Sequence, residues 1–358
     1  MNTKAGILGV GSYLPEQSYD NFHFEKIMDT SDEWISTRTG IKERRFAKES
    51  EATSDLASKA ALKAIECAKL NVEDIELIIL ATITPDMSLP STACIVQDAI
   101  GAVNATAFDI SAACSGFVYG VTIAKQFVET GCYKNVLVIG AETCSKFLNY
   151  DDRTTAVLFG DGAGAAVIGP VNEGGILSTH MGSDGKGKDC LKVPAGGSRL
   201  KASKETVEAN LHTIEMAGSD VFKFAVRKMA ETSLRALEKA NLNTTDIDYL
   251  VPHQANIRII QASSKRLELD MKKVYVNIDK YGNMSAASIP VALDEAYREG
   301  KIKKGDNVVL VGFGGYFNQD GLMKYTGFER ISGRFNNEFK LFNDRLKIGE
   351  NATLSHAW

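Results

Sequence analysis

The feature that most restricts the fold is that the chain resembles itself. Residues 61–82, which include Leu62, Ala64, Glu66, Ala68, Leu70, Asn71, Asp74 and Ile75, match residues 233–254 at an offset of 172. Leu234, Ala236, Glu238, Ala240, Leu242, Asn243, Asp246 and Ile247 are the identical partners. Each copy reads as an amphipathic helix, a short Asn/Asp turn and a buried strand. The same register, without a gap, carries Val136–Gly140 onto Val308–Gly312. Both are short apolar runs ended by glycine, as buried strands are. A constant register over so many residues points to two structurally equivalent halves rather than to two chance helix–turn–strand units. Strands alternating with helices make this an α/β protein with helix-covered sheets. The first half is expected over 1–170 and the second over 171–330. The join at Gly174–Ser203 is rich in Gly, Lys and Ser and reads as loops and strands. Residues 331–358 lie outside the repeat. There Phe335, Phe339, Phe342 and Leu346 keep helical spacing, which predicts an amphipathic helix lying on the body, with a flexible tag-like tail as the alternative.

Composition excludes several function classes. At 358 residues the chain buries a large core, and its 44% apolar and 24% charged content is that of a globular protein. A net charge of -4 gives no sign of nucleic-acid binding. The six cysteines (67, 94, 114, 132, 144 and 190) are scattered, with no C-x-x-C and no metal-like pairing with the five histidines. That pattern suits a reducing compartment. Ala5–Gly11 is short and Gly-interrupted, so it reads as a first strand and not as a signal peptide. No stretch is long enough to span a membrane. The expectation is a soluble, cytoplasmic protein.

The chemistry concentrates at Phe108–Phe117, where an apolar approach ends in small residues, Cys114 and a helix-like run to about Thr130. A thiol at a helix N-terminus faces unpaired N–H groups and the positive end of the dipole, which favours the nucleophilic thiolate. Most free cysteines are instead small buried hydrophobes, and this stretch alone leaves both readings open. His253 stands where the apolar strand Leu250-Val251-Pro252 stops and a helix, about 254–267, begins. It is a candidate acid/base or hydrogen-bond donor, or else a structural histidine. Asn283 lies in a Gly-Asn turn, and adding the offset to Ser111 gives Asn283. The Cys114 turn and the Asn283 turn are therefore expected to meet near a pseudo-twofold axis, at the carboxyl ends of strands. Gly160–Gly164 does not fit a dinucleotide-binding fingerprint, since Ala165 stands where the last glycine belongs.

Cys114, His253 with Gln254-Ala255-Asn256, and Gly282-Asn283-Met284-Ser285-Ala286-Ala287-Ser288 together resemble the condensing enzymes of the thiolase fold, and within them the β-ketoacyl-acyl-carrier-protein synthase III family. The resemblance runs from Gly6 to about Phe328. It includes Thr30–Ile35 with Thr37–Ile41, and Phe159–Ala166, in the family's order and spacing. It implies a five-layered αβαβα fold with two similar halves, and a decarboxylative condensation of an acyl-CoA primer with malonyl-acyl carrier protein (ACP). Elongating relatives carry a second His where this chain has Asn283. Thiolases carry a second Cys in the late Gly-rich loop, and Gly312–Phe317 has none. Plant-type polyketide synthases share Cys-His-Asn but are usually longer.

By the same resemblance Cys114 takes the acyl group from acyl-CoA. The N–H groups of Cys114 and Gly315 hold the tetrahedral oxyanion. Donors from His253 Nε2 and Asn283 Nδ2 stabilise the enolate formed as CO2 departs. No metal or redox cofactor is implied. Trp34 and Arg153 are expected to sandwich the CoA adenine, with Arg38 on its phosphates and Asn256 also at the CoA site. Lys223, Arg258, Lys265 and Arg266 are expected to form the basic patch for the acidic carrier protein, although a solvated helix face is the plainer reading of the same residues. Leu89, Met216 and Tyr316 are expected at the acyl pocket. Leu89, where many relatives have Phe, is expected to close the pocket of the partner subunit in a homodimer, and so to admit primers longer than acetyl. Tyr316 replaces the family's third glycine in the late loop. These departures leave room for a specialised relative that uses longer primers or another acceptor. A non-catalytic scaffold that binds carrier protein is the reading from another class, and the three filled catalytic positions argue against it.

Overall fold

The computed structural model describes residues 3–314 and the backbone of three later strands, Asn318–Lys324, Phe339–Leu341 and Leu346–Ile348. Two sheets carry the architecture. The first has five strands in the order Lys4–Tyr13, Asp161–Val171, Val136–Thr143, Leu77–Ala81, Thr106–Ile110. The second has four, in the order Tyr249–Pro252, Asn307–Gly314, Asn318–Lys324, Gly175–Ser178.

Alternation within each strand explains why helices cover both faces. Leu77, Ile79, Val136 and Val138 turn to one core, while Ile78, Leu80, Leu137 and Ile139 turn to another. All eight are fully buried. The outer core is closed by the helix Thr53–Ala68, which contributes Leu56, Ala60, Ala64 and Ile65. The inner core is filled by Phe117, Val118 and Val121 of the helix Gly116–Glu129 and by Ile289, Ala292 and Leu293 of the helix Ser288–Arg298. Tyr249, Val251, Val308 and Leu310 of the second sheet face the same inner core. Leu250, Val309 and Val311 face the helices Gly218–Lys239 and Ile257–Arg266. Helix, sheet, helix pair, sheet and helix thus stack as five layers. Each fully buried Leu, Ile or Val contributes about 1.5–3 kcal/mol.

The offset of 172 recurs in the structure. Leu77 pairs with Val136 in parallel, and Tyr249 pairs with Val308 in parallel. The 3-10 turn Ala113–Ser115 leads into the helix that starts at Gly116, and the turn Ser285–Ala287 leads into the helix that starts at Ser288. The helix expected from Cys114 therefore begins two residues later, after a tighter turn. The helix expected from about residue 254 begins at Ile257, because Asn256 adopts extended backbone and caps it.

The helix expected over 331–358 meets a different arrangement at the described residues there. Phe339–Leu341 and Leu346–Ile348 are strands paired antiparallel, with Phe339 opposite Ile348 and Leu341 opposite Leu346. Their sequences alternate apolar residues with lysine, the period of two that a strand requires. Phe335 and Phe342 lie outside the described residues. No helix among the described residues is long and apolar enough to cross a membrane.

Candidate active site

Cys114 sits in the turn between the strand Thr106–Ile110 and the helix Gly116–Glu129. Ala113 before it takes a left-handed φ of 48°, which turns the chain sharply enough to aim Cys114 away from the sheet. Two glycines make room. A Cβ on Gly140 would lie 2.2 Å from the Ala286 carbonyl oxygen, and one on Gly314 would lie 2.8 Å from the Cys114 nitrogen. The Cys114 turn, the Ser285 turn and the end of the strand Asn307–Gly314 are thus in direct contact.

His253 follows the strand Tyr249–Pro252, and its own N–H donates to the Val311 carbonyl at 2.8 Å. Its ring stands edge-on to Phe313, with centroids 5.4 Å apart. Gln254 fixes the loop beyond: its Nε2 donates to the Pro252 and Tyr275 carbonyls, and its Oε1 accepts from Asn277 N–H. Asn283 is held through its main chain. Its N–H donates to the Leu158 carbonyl at 2.9 Å, and its carbonyl accepts from Gly160 N–H at 3.0 Å. The side-chain Oδ1 accepts from Ser285 N–H at 2.9 Å, which leaves the amide Nδ2 as the free end.

One pocket brings Cys114, His253 and Asn283 onto one wall system. Met216 lines it, as does Asn256. The rest of the lining is mainly apolar, with Leu158, Phe159, Val221, Phe222, Ile259 and Phe313. Such a lining suits an aliphatic chain ending at a few convergent polar groups.

The electrostatics correct one expectation. Burial pushes the Cys114 thiol up to about 12; the neighbouring Ser285 hydroxyl pulls it down by less, and Glu142 pushes it further up. Removing the sulfur from water disfavours its charged form, so the resting site holds the thiol rather than the thiolate. Burial also lowers His253 to about 3, so its imidazole is neutral. Glu142 is fully buried at the end of the strand Val136–Thr143. It accepts hydrogen bonds from the Thr82 and Thr84 hydroxyls and from Ile83 N–H, and burial raises its carboxyl to about 6.

The remaining expected residues divide into groups. The Arg38 and Arg153 guanidinium carbons lie 4.7 and 5.1 Å from the centre of the Trp34 ring. Arg153 also bonds the main-chain carbonyl of Asp29. Asn256 joins this group to the pocket, since its Nδ2 donates to the Arg38 carbonyl at 2.9 Å while its Oδ1 caps the next helix at Arg258 N–H. Lys223, Arg258, Lys265 and Arg266 are exposed, and the Arg258 guanidinium lies 5.5 Å from the ring of Phe222 at the pocket. Leu89 is 84% exposed and does not line the pocket of its own chain. Gly315 and Tyr316 lie outside the described residues. No group of three His, Cys, Asp or Glu side chains among the described residues is placed to hold a metal ion.

Sequence reasoning passed over two residues. Ser288 Oγ lies 2.6 Å from His253 Nδ1. Its only sequence signal is its place inside the Asn283 motif, at the start of a helix. Glu142 could have been found as a lone charge ending an apolar strand run.

Known proteins match this geometry and its sequence. The family profiles of 3-oxoacyl-[acyl-carrier-protein] synthase III match residues 108–185, and its C-terminal part matches residues 237–323. The β-ketoacyl-[acyl-carrier-protein] synthase III of Caldanaerobacter subterraneus subsp. tengcongensis is 64% identical over 311 residues, covering 87% of this chain and 94% of that one. The crystal structure of 3-oxoacyl-[acyl-carrier-protein] synthase III from Aquifex aeolicus superposes with a TM-score of 0.83 at 47% identity, covering 90% of this chain and 100% of that one. The priming β-ketosynthase of the R1128 polyketide pathway superposes with a TM-score of 0.84 at 35% identity, covering 91% and 98%. A similarity of this depth, sustained through both sheets and both turns, makes the chain a member of the β-ketoacyl-acyl-carrier-protein synthase III family of thiolase-fold condensing enzymes.

Proposed function

We propose that the family's condensation runs in the pocket of Cys114, with Cys114, His253 and Asn283 as its catalytic residues. The protein is a condensing acyltransferase of fatty acid synthesis, joining an acyl-CoA primer to malonyl-ACP and releasing CoA and CO2. Cys114 attacks the primer thioester, and CoA leaves an acyl-enzyme. The oxyanion is held by the N–H of Cys114 and by the late loop at Gly315. Malonyl-ACP then loses CO2. The enolate is stabilised by Asn283 Nδ2 and attacks the acyl group to give 3-oxoacyl-ACP. Both substrates carry their own activation as thioesters, so no step calls for a metal or redox cofactor. The observation that carries this reading is that one apolar pocket receives all three polar side chains from three separate loops.

Two binding surfaces accompany it. The Trp34, Arg38 and Arg153 group, tied to the pocket by Asn256, suits the adenine and phosphates of CoA. The exposed Lys223, Arg258, Lys265 and Arg266 suit the acidic carrier protein. The chain acts as a cytoplasmic homodimer in this reading. Thr106–Ile110 is the edge strand of the first sheet, and the exposed apolar Met87, Leu89 and Val103 call for a cover. Leu89 then reaches the partner's pocket and leaves space for primers longer than acetyl.

The test is intact mass after incubation with acetyl- to octanoyl-CoA. A gain of one acyl group, absent in Cys114→Ala and discharged by malonyl-ACP, supports the reading and identifies the primer. No gain with any primer overturns it.

A further inference from the structure

One turn of main chain decides which way the polar groups of this site point. Ser285 lies between Asn283 and Ser288 and takes a left-handed φ of 45°. Its N–H donates to Asn283 Oδ1 at 2.9 Å, and its carbonyl accepts from the Ser288 hydroxyl at 2.7 Å. The second bond constrains His253. A serine hydroxyl has one proton, and a carbonyl oxygen only accepts. At 2.7 Å the Ser288 proton therefore lies toward the Ser285 carbonyl. Ser288 Oγ then has only lone pairs to offer His253 Nδ1, 2.6 Å away. The opposite arrangement would press two unprotonated oxygens together in a dry site.

We propose that Ser288 is a positioning residue that fixes neutral His253 as its Nδ1–H tautomer, so that Nε2 presents a lone pair to the pocket. This rests on the reading of Cys114 as the acylated residue. Among the described residues, Nε2 is buried without a hydrogen-bond partner, and His253 lines the same pocket as Cys114. In the resting site Nε2 is thus an acceptor, not the donor expected from the sequence. It becomes a donor only after taking a proton.

The assignment gives the first stage its proton balance. As Cys114 Sγ bonds the primer carbonyl carbon, its proton passes to His253 Nε2. The carbon–sulfur bond to CoA breaks, and the CoA thiolate takes that proton from Nε2 and leaves as the free thiol. His253 returns to its Nδ1–H form. No other reactant is consumed. The two pocket-facing groups end with opposite polarity: a lone pair on His253 Nε2 and N–H donors on Asn283 Nδ2. Both are set by the one Ser285 peptide segment.

The test is nitrogen-15 NMR of the full chain labelled at histidine, with His253 assigned by its loss in His253→Gln. Coupling of a proton to Nδ1, with an unprotonated Nε2, supports the proposal. A proton on Nε2 in the resting protein overturns it, whether or not any variant folds. Ser288→Ala is expected to shift the tautomer toward Nε2–H and to slow release of CoA from acyl-CoA by about 10–100-fold without malonyl-ACP present. Ser288→Thr, which keeps the hydroxyl, is expected to recover both. An unchanged tautomer and acylation rate in a folded Ser288→Ala protein also overturns it. Absence of acylation in the wild type would remove the Cys114 reading while leaving the NMR result to decide the tautomer.

Discussion

Ala113 and Ser285, 172 positions apart, hold nearly the same left-handed backbone, with φ of 48° and 45°. One precedes Cys114 and the other follows Asn283 by two residues. A non-glycine residue in this region costs on the order of 1–2 kcal/mol. The cost is sustained twice at equivalent places because the surrounding packing leaves no alternative. The Ser285 turn lies against the strand Val136–Thr143 and the Cys114 turn against the strand Asn307–Gly314, and each feeds a helix that fills the inner core.

The packing around the second turn is tight enough to measure. Gly140→Ala would place a Cβ 2.2 Å from the Ala286 carbonyl. The obstacle is backbone, so the Ser285 turn must shift. A loss of about 1–3 kcal/mol is expected by denaturant unfolding, with a larger proportional loss of acylation rate. A variant as stable and as active as wild type would show that the turn tolerates displacement.

Alkylation reports the protonation of Cys114. With the thiol pushed up to about 12 from an ordinary 9.0, the thiolate fraction near neutral pH is lower by about a thousandfold. Iodoacetamide should therefore modify Cys114 far more slowly than a free thiol at pH 8, and the rate should still be rising above pH 9. A rate plateau below pH 8 would mean that the site holds a resting thiolate.

Asn283 separates the two stages. With its Oδ1 engaged by Ser285 N–H, its contribution to chemistry comes from Nδ2. Asn283→Ala should leave acylation of Cys114 near wild type and slow CO2 release from malonyl-ACP by about 100–1000-fold. Equal loss in both stages would assign Asn283 to architecture alone.

Arg153 concerns binding rather than chemistry. Its guanidinium lies over Trp34 at a distance from the pocket lining. Arg153→Ala should raise KM for acyl-CoA about tenfold with kcat unchanged, the size of one stacking contact. An acyl-pantetheine substrate without adenine should show no change. Loss of kcat with both substrates would count against the CoA assignment.

Acid stability follows from His253. Its folded value of about 3 lies below the ordinary 6.5, so the unfolded chain binds the extra proton between those values. Stability from this residue is complete above pH 6.5 and is lost as pH falls toward 3, by on the order of a few kcal/mol. Glu142, raised to about 6 from 4.5, acts in the opposite direction: the folded state holds its proton longer, and stability falls as pH rises from 4.5 to 6. Melting temperatures between pH 6.5 and pH 4 should therefore fall less steeply in His253→Gln than in wild type. Parallel curves would contradict a buried neutral His253.

The strands and helices of both halves were legible because burial on two faces imposes its own period. Leu77–Ala81 and Tyr249–Pro252 read as strands for that reason, and the offset of 172 survived into paired registers. Cys114 and His253 were legible because each follows the end of an apolar strand, where an open sheet exposes its loops, and Asn283 because the offset of 172 places its Gly-Asn turn opposite the Cys114 turn. The paired strands Phe339–Leu341 and Leu346–Ile348 were not, since Phe339, Phe342 and Leu346 satisfy a helical spacing as readily as a strand one over so few residues. By itself the sequence determined which residues could carry the chemistry. Only the tertiary structure decided their charge and polarity. The depth of burial keeps Cys114 a thiol and His253 neutral, and in the proposed arrangement the single proton of Ser288, drawn to the Ser285 carbonyl, decides whether His253 Nε2 meets the substrate with a lone pair or a proton. Those are properties of three-dimensional neighbours, and no residue carries them in its own identity.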